Sequence, residues 1–266
     1  MVRQPAVAGK FYTGDPHRLR QELAEMMPPG EAQKAIGIIA PHAGYVYSGK
    51  AAGKVYAAVR VPDTVLILGP NHTGAGVAAA LAPEIEWLTP LGPVPVNRRL
   101  SQLILENAPL VREDPLAHRF EHSLEVQVPF LQYRNPGVSI AALCLALPDF
   151  PSIAQVGEGI ARAIAAYGEE VLIVASSDMT HYESAAAAKV KDDQALARLA
   201  DMDPEGLLKV CREQNITMCG VIPAAALLVA AKIMGGSACR LLHYTNSGEV
   251  NGDQRSVVAY AALMVS

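Results

Sequence analysis

The sequence lacks the segments that would send the chain into or across a membrane. Its longest apolar runs, IAALCLAL and VIPAAALLVAA, are shorter than the roughly 20 residues that a helix needs to span a bilayer. The N-terminal stretch MVRQPAVAGKFY has no apolar core of the kind found in signal peptides. We therefore expect a cytoplasmic protein with no membrane partner.

Long basic runs are also absent. The 266 residues carry 22 Lys and Arg against 26 Asp and Glu, which gives a net charge of −4. Because proteins that bind nucleic acid concentrate positive charge on one segment or face, we expect no nucleic-acid partner. Hydrophobic residues make up 51% of the chain, which excludes disorder by composition. No linker or repeat divides it, so we predict a single domain over 1–266.

The four cysteines lack the CxxC spacing of a structural zinc site. Without a secretion signal, a disulfide framework is not expected either. Cys144, Cys211 and Cys239 lie within apolar patterns and are predicted to be small core residues. Cys219 has a different setting, which is described below.

Short, continuously apolar runs alternate with helical patterns along the chain. Such runs are typical of strands buried on both faces, and the alternation predicts an α/β fold. We expect a central, mostly parallel or mixed sheet that helices cover on both faces. The predicted strands are 36–40, 64–68, 138–147, 171–175, 240–244 and 257–264. The predicted helices are 16–27 (after the N-cap Asp15), 49–59 (after Ser48), 97–106, 121–133, 152–167, 185–199, 204–214 and 223–234.

Polar residues gather where three of the predicted strands end. The first strand runs into Pro-His42, the second into GPNH with His72, and the fourth into SSDMTH with Asp178 and His181. Ligands of open α/β sheets bind beyond the carboxyl ends of the strands. If these strands are neighbours, the side chains converge on one crevice. Taken singly, each histidine also fits a turn, and Asp178 also fits a helix cap.

Cys219 stands directly before an apolar helix that has a proline near its start. The unpaired N–H groups of a helix N-terminus favour a thiolate, which is the form that binds metal. We therefore expect a lowered thiol pKa at Cys219. A buried, inert thiol under a turn is the alternative interpretation.

The segment EHSLE places His122 and Glu125 three residues apart, so the two side chains share one face if the segment is helical. A histidine and a carboxylate at this spacing suit a ligand pair or a hydrogen-bonded orienting pair. A helix start with acidic residues in its first turn is the alternative. His118, four residues earlier, is a further candidate for this wall.

Six motifs together resemble the Memo family, which is named after a human mediator of cell motility and includes the bacterial and archaeal AmmeMemoRadiSam system protein B. The motifs are PHAGYVYSG, GPNHTG, EHSLEVQVPF, SSDMTH, TMCGVIP and SVVAYAA, and they occur in the family's order over nearly the whole chain. The resemblance implies the LigB-like fold of class III extradiol dioxygenases.

The resemblance also implies a ligand set. His42, His72 and Cys219 would hold a metal, and His181 would occupy the acid/base position with Asp178 beside it. Iron(II) or copper is expected as the cofactor, with zinc possible. The pocket or its supporting shell is expected to contain His122, Glu125, Tyr45 and Asn71; Asn71 departs from the human-type motif.

These residues leave three functions open. The first is a metal-dependent redox protein, an oxygenase acting on an unknown small molecule. The second is a non-catalytic module that binds a ligand or phosphopeptide, or sequesters metal, on a dioxygenase fold. The third is a zinc hydrolase. The family's gene context implies a link to a radical S-adenosylmethionine protein and an AMMECR-like protein.

Overall fold

The computed structural model describes all residues, 1–266. The α-helices are α1 Pro16–Met26, α2 Tyr45–Ala58, α3 Arg98–Asn107, α4 Val128–Arg134, α5 Phe150–Tyr167, α6 Ala185–Ala200, α7 Pro204–Glu213, α8 Val221–Ile233 and α9 Gly248–Asn251, with a 3₁₀ turn at Glu125–Gln127. The strands are β1 Val2–Arg3, β2 Gly37–Ala40, β3 Thr64–Pro70, β4 Ala79–Leu81, β5 Glu86–Thr89, β6 Gly92–Pro95, β7 Arg112–Glu113, β8 Ser139–Leu145, β9 Val171–Ser176, β10 His181–Glu183, β11 Cys239–Asn246 and β12 Val257–Val265.

A nine-stranded mixed sheet forms the centre of the molecule. Its order is β10-β12-β2-β9-β3-β8-β4-β7, with β11 paired to β12, and β2, β9, β3 and β8 run parallel. A separate three-stranded sheet has the order β1-β5-β6. This architecture confirms the predicted α/β class and agrees with the LigB-like fold. No helix has the length and apolar character needed to cross a membrane.

Alternate residues of the parallel strands point to opposite faces of the sheet and pack into two hydrophobic cores, one on each face. Leu66 and Ile173 pack with side chains from α3, α5, α6, α7 and α8, whereas Val65 and Leu172 pack with α1, α2 and α4. Both faces of the sheet are therefore buried under helices, which explains why the strand sequences are continuously apolar.

Several helices begin where cap chemistry predicts. Asp15 accepts a hydrogen bond from the backbone of Arg18 at the start of α1, and Asp203 caps α7 in the same way. Ser48 is not a cap, because α2 begins at Tyr45. Its hydroxyl instead donates to the carbonyl of Ala43 at 2.8 Å.

The predicted helix over 121–133 is wrong in its first turn. Residues 121–124 form a loop, the 3₁₀ turn follows, and α4 begins only at Val128. Pro129 lies within the first two positions of α4 and so starts this helix instead of breaking it. The carboxylate of Glu121 accepts the backbone N–H groups of His122 and Ser123, and these bonds hold the loop in its non-helical shape.

Candidate metal centre

The three predicted strand ends meet at one edge of the sheet. β9 lies between β2 and β3, and all three run parallel. His42 follows β2, His72 follows β3, and the segment from Ser177 to His181 follows β9. The order of the strands in the sheet therefore brings these side chains together at one edge, as predicted for neighbouring strands.

Three histidines form a compact cluster at this edge. His42, His72 and His122 each offer a ligand nitrogen, and these atoms all lie within 4.8 Å of one another. The ring centroids are 4.6 Å to 5.4 Å apart. Ligands of one ion, bound at about 2.1 Å, lie about 3 Å apart, so a small closure would bring the three nitrogens onto a metal. Imidazole donors suit iron, copper and zinc. The third member, His122, was predicted to belong to the pocket and its spacing to Glu125 suited a ligand pair, but it was not in the ligand set that the resemblance implied.

Hydrogen bonding fixes the tautomer of the buried His42 ring. The hydroxyl of Ser176 donates to the carbonyl of Ser123 at 2.6 Å and accepts from the side-chain amide of Gln127 at 2.7 Å. Its remaining lone pair faces His42 Nδ1 at 2.9 Å, so Nδ1 carries the proton. The Nε2 lone pair of His42 is therefore free for a metal or a donor.

Glu121 fixes the tautomer of the His72 ring in the same way. Its Oε1 atom lies 2.9 Å from His72 Nδ1, and Oε2 accepts the backbone N–H of His72 at 2.6 Å. Burial alone would raise the carboxyl pKa, but the hydrogen bonds from His72 and from the backbone of Ser123 lower it to about 2. Glu121 is thus ionised, and it directs His72 Nε2 outward as carboxylates do behind metal-binding histidines.

Sequence reasoning missed Glu121 because the helical interpretation paired His122 with the residue three positions ahead. The available signal was the adjacency of an acidic residue and a histidine in EHS, together with Gly69 at the end of β3. A Cβ atom on Gly69 would lie 2.6 Å from Leu124 and 2.7 Å from the Ser123 hydroxyl. Glycine there lets the 121–124 loop lie against the strand that delivers His72.

Cys219 lies against the same cluster. Its Sγ atom is 3.1 Å from His42 Nε2 and accepts the backbone N–H of Asp178 at 3.3 Å. Because His42 carries its proton on Nδ1, its Nε2 atom is unprotonated and the Cys219 thiol is the donor. Close approach depends on Gly220, because a Cβ atom there would lie 2.2 Å from the carbonyl oxygen of Ser176.

The expected lowering of the Cys219 thiol pKa is wrong for the metal-free chain. Burial raises this pKa, the charge of Asp178 raises it further, and hydrogen bonds from the backbone of Asp178 and the side chain of Ser177 oppose the rise only in part. Cys219 is only partly buried, but the protein packed around its sulfur and the nearby Asp178 carboxylate outweigh the effect of the helix N-terminus on the thiol pKa.

Asp178 holds the backbone of the first histidine. Its Oδ1 atom accepts the N–H groups of His42 at 2.8 Å and Ala43 at 3.3 Å. Burial raises the pKa of this carboxyl to about 7, against the effect of those two bonds. Asp178 forms no hydrogen bond with the His181 ring. It also begins no helix, so the alternative interpretation of Asp178 as a helix cap is wrong.

Thr217 orients His181 instead. The Nδ1–H of His181 donates to the carbonyl of Thr217 at 3.0 Å, and its backbone N–H donates to the Thr217 hydroxyl at 2.7 Å. Burial lowers the His181 pKa. The ring is neutral with Nε2 free. It lies near the cluster, because protonation of His181 would further lower the pKa of His42, after the larger effects of burial and of the charged forms of His72 and His122.

A buried carboxylate anchors the segment that carries His181. Asp192 of α6 accepts the backbone N–H and hydroxyl of Thr180 at 3.0 Å and 2.7 Å, and the hydroxyl of Tyr244 at 2.7 Å. The next residue after His181, Tyr182, has a φ of 60° and is 79% exposed. Such a left-handed conformation is strained for an aromatic residue, so tertiary contacts hold this turn.

Three predicted pocket residues have other partners. Glu125 accepts from the guanidinium of Arg3, the Tyr12 hydroxyl and the backbone of the N-terminal segment, so it holds that segment instead of a histidine. Tyr45 is a core residue whose hydroxyl donates to the carbonyl of Val126. Asn71 accepts three hydrogen bonds from Thr73 and Gly74 and so shapes the loop after His72.

His118 lies outside the centre. It is fully buried, its Nε2 atom is 2.9 Å from the carbonyl oxygen of Ala80, and its ring contacts Trp87 edge-on. The three cysteines predicted for the core, Cys144, Cys211 and Cys239, are buried free thiols.

The whole chain is similar to known proteins of one family. The profile of the Memo-like protein family matches residues 3–264. A MEMO1 family protein of Methanosarcina barkeri is 40% identical over 267 residues, covering 99% of this chain and 100% of that protein. A MEMO1 family protein of Aquifex aeolicus is 38% identical over 266 residues, covering 99% of this chain and 98% of that protein.

A solved structure shares the fold at low sequence identity. The crystal structure of the uncharacterised protein JW3007 from Escherichia coli K12 superposes with a TM-score of 0.58 at 14% identity, covering 86% of this chain and 99% of that one. At this identity the likeness concerns the fold alone. The full-length family match and the relatives near 40% identity establish that this chain belongs to the Memo-like protein family.

Proposed function

We propose that the protein is a metal-dependent redox enzyme, an oxygenase that uses iron(II) or copper on a small molecule. The observation that carries the proposal is the cluster of three imidazoles within 4.8 Å, with a thiol 3.1 Å from one of them. His42 and His72 are the common ligands in every arrangement. His122 is the third imidazole, and Cys219 is the candidate anionic donor.

The donor set fits such an ion. Both Nδ1 atoms of His42 and His72 are occupied by Ser176 and Glu121, so their Nε2 atoms are the ones free to bind. Iron(II) or copper held there would supply redox chemistry and open coordination positions for a substrate. Nearby, His181 offers a neutral Nε2 that can accept a proton from a bound molecule and return it.

Zinc-dependent hydrolysis is the second candidate. Three histidines with an open fourth position are one of the donor sets of catalytic zinc. The position of His122 beside His42 and His72 favours this candidate more than a ligand set of two histidines and a cysteine does.

The third candidate is a non-catalytic role, in which the protein binds a ligand or sequesters metal. His72 has 33% of its side chain exposed and His122 has 23%, so the cluster is open to a large ligand such as a peptide. This reading requires that the protein bind its ligand equally well with and without metal.

The deciding experiment begins with metal analysis of protein purified without oxygen. The iron(II)-loaded protein is then treated with nitric oxide and examined by electron paramagnetic resonance, and oxygen uptake is measured against a panel of catechols. An iron–nitrosyl signal that His72→Ala abolishes, together with oxygen uptake, supports the oxygenase. Stoichiometric zinc with ester turnover and no oxygen uptake supports the hydrolase, and an unchanged signal in His72→Ala refutes the metal centre.

A further inference from the structure

A cavity of about 670 Å³ lies between the N-terminal segment and the loop before Glu121. Its lining includes Val2, Pro5, Glu84, Leu116 and Phe120 and none of the clustered histidines. The volume is within the range of small-molecule sites, about 300 to 1,000 Å³.

Glu84 is a buried carboxylate without a partner at this cavity. The residue is 5% exposed, and its Oε2 atom is fully buried with no hydrogen-bond donor. Its Oε1 atom accepts no hydrogen bond either, but it is not fully enclosed. A ligand that donates a hydrogen bond to Glu84 would supply the partner that this buried oxygen lacks.

Two cations on the cavity lining are also without carboxylate partners. Lys10 and Arg119 form no ion pair, and the Arg119 guanidinium lies 5.1 Å from the Phe120 ring centre. The third cationic side chain of the lining, Arg3, forms an ion pair with Glu125 at 2.7 Å. Lys10 and Arg119 would repel a ligand that is only cationic, and Glu84 would repel a ligand that is only anionic.

Apolar side chains complete the lining. Leu116 is 58% exposed and Phe120 is 69% exposed, and both stand beside Val2 and Pro5. Side chains of this size are left in water here, so an apolar ligand body that covered them would gain free energy in proportion to the area removed from water.

We propose that this cavity binds a small zwitterion with an apolar body. Its ammonium group pairs with Glu84, its carboxylate pairs with Arg119 or Lys10, and its apolar part covers Leu116 and Phe120. An apolar amino acid and a short apolar peptide share this chemistry and differ only in the separation of their charged ends. The site is independent of the metal and of the proposed redox function.

Isothermal titration calorimetry on the full chain tests the proposal. The probes are L-leucine and L-leucyl-L-leucine, compared with 4-methylpentanoate, which lacks the ammonium, and isoamylamine, which lacks the carboxylate. One of the two zwitterions is expected to bind at least about tenfold more tightly than both single-charge analogues, since each charged hydrogen bond is worth about that much or more. Which of the two binds identifies the charge separation.

Variants complete the test. Glu84→Gln and Arg119→Ala should each weaken the zwitterion about tenfold or more, whereas Glu86→Gln, two residues along the chain and outside the cavity, should leave it unchanged. Circular dichroism establishes that each variant is folded. Absence of binding by both zwitterions, binding that persists in Glu84→Gln, or equal binding of isoamylamine overturns the proposal.

Discussion

The sulfur of Cys219 lies 3.1 Å from Nε2 of His42, although 177 residues separate the two in the chain. Because Ser176 holds the proton of the imidazole on Nδ1, this contact is a thiol donating to a histidine. A metal at His42 Nε2 would take the place of the thiol proton. A metal bound at His42 would therefore either bind the sulfur of Cys219 as well or leave Cys219 as an unbound neighbour.

Binding of cobalt(II) to the chain tests this point. We expect the loaded protein to show a thiolate-to-cobalt charge-transfer band in the near ultraviolet, because metal binding displaces thiol protons. Cys219→Ser should lose this band and keep the visible cobalt bands, since His42, His72 and His122 remain. His122→Ala should keep the charge-transfer band and bind cobalt less tightly, by about tenfold or more.

Two outcomes contradict this assignment. A wild-type spectrum without the charge-transfer band shows that Cys219 is not a ligand. Unchanged cobalt affinity in His122→Ala removes His122 from the ligand set and leaves two histidines and the cysteine. Cys239→Ser, which alters a buried thiol far along the chain, is the matched control and should leave the spectrum as in wild type.

Glu121→Gln should weaken metal binding without unfolding the chain. The amide keeps an oxygen near His72 Nδ1 but removes the negative charge that makes this imidazole a stronger donor. Loss of a carboxylate behind a metal-binding histidine lowers affinity about 10- to 100-fold. Competition with a chelating dye for zinc measures the change.

Glu125→Gln is the contrasting substitution four residues away. It breaks a buried pair with Arg3, in which the side chains are 1% and 3% exposed, and touches no histidine. We expect it to cost about 3 to 5 kcal/mol of unfolding free energy and to leave zinc affinity within about twofold. The assignment of Glu121 fails if the two variants lose zinc affinity equally.

Acid should stabilise the Asp192 region instead of weakening it. Burial raises the pKa of Asp192 above its ordinary 3.8, against the hydrogen bonds of Thr180 and Tyr244. The ionised form is thus penalised in the folded state, so this contribution is complete below the unfolded pKa and is lost as pH rises through the folded one. Asp192→Asn should flatten that part of the stability profile in urea unfolding between pH 4 and 8. A profile parallel to wild type would contradict the assignment.

The parts of the fold that could be predicted were those fixed by local chemistry. Apolar runs identified the parallel strands, and Asp15 and Asp203 marked helix starts, because these signals act within a few residues. The 121–124 loop could not be predicted, since its shape depends on the carboxylate of Glu121 accepting N–H groups from its own loop and from His72. Strand order likewise depends on long-range pairing.

The candidate centre shows the same division. His42, His72 and Cys219 were found from motifs at element ends. The membership of His122 in the cluster and the role of Glu121 depend on the geometry of the 121–124 loop. The raised thiol pKa of Cys219 depends on the protein packed around its sulfur and on the nearby Asp178. Short motifs thus indicate which residues belong to the centre, whereas the protonation and orientation of these residues depend on the packed structure.

Thr217→Val should release His181 while leaving the fold intact. The valine has the shape of threonine but lacks the hydroxyl that accepts the His181 backbone N–H at 2.7 Å. Loss of this bond should loosen the backbone of His181, so we expect a mixture of ring tautomers in place of the single Nδ1–H form. The loss of order should be only partial, because the Thr217 carbonyl still accepts a hydrogen bond from the ring. Long-range nitrogen–proton correlation spectra of the histidine rings measure this. Thr217→Ser keeps the acceptor and should restore the single tautomer. A Thr217→Val spectrum identical to wild type would show that the carbonyl alone positions His181, and His181→Gln identifies which signals belong to this ring.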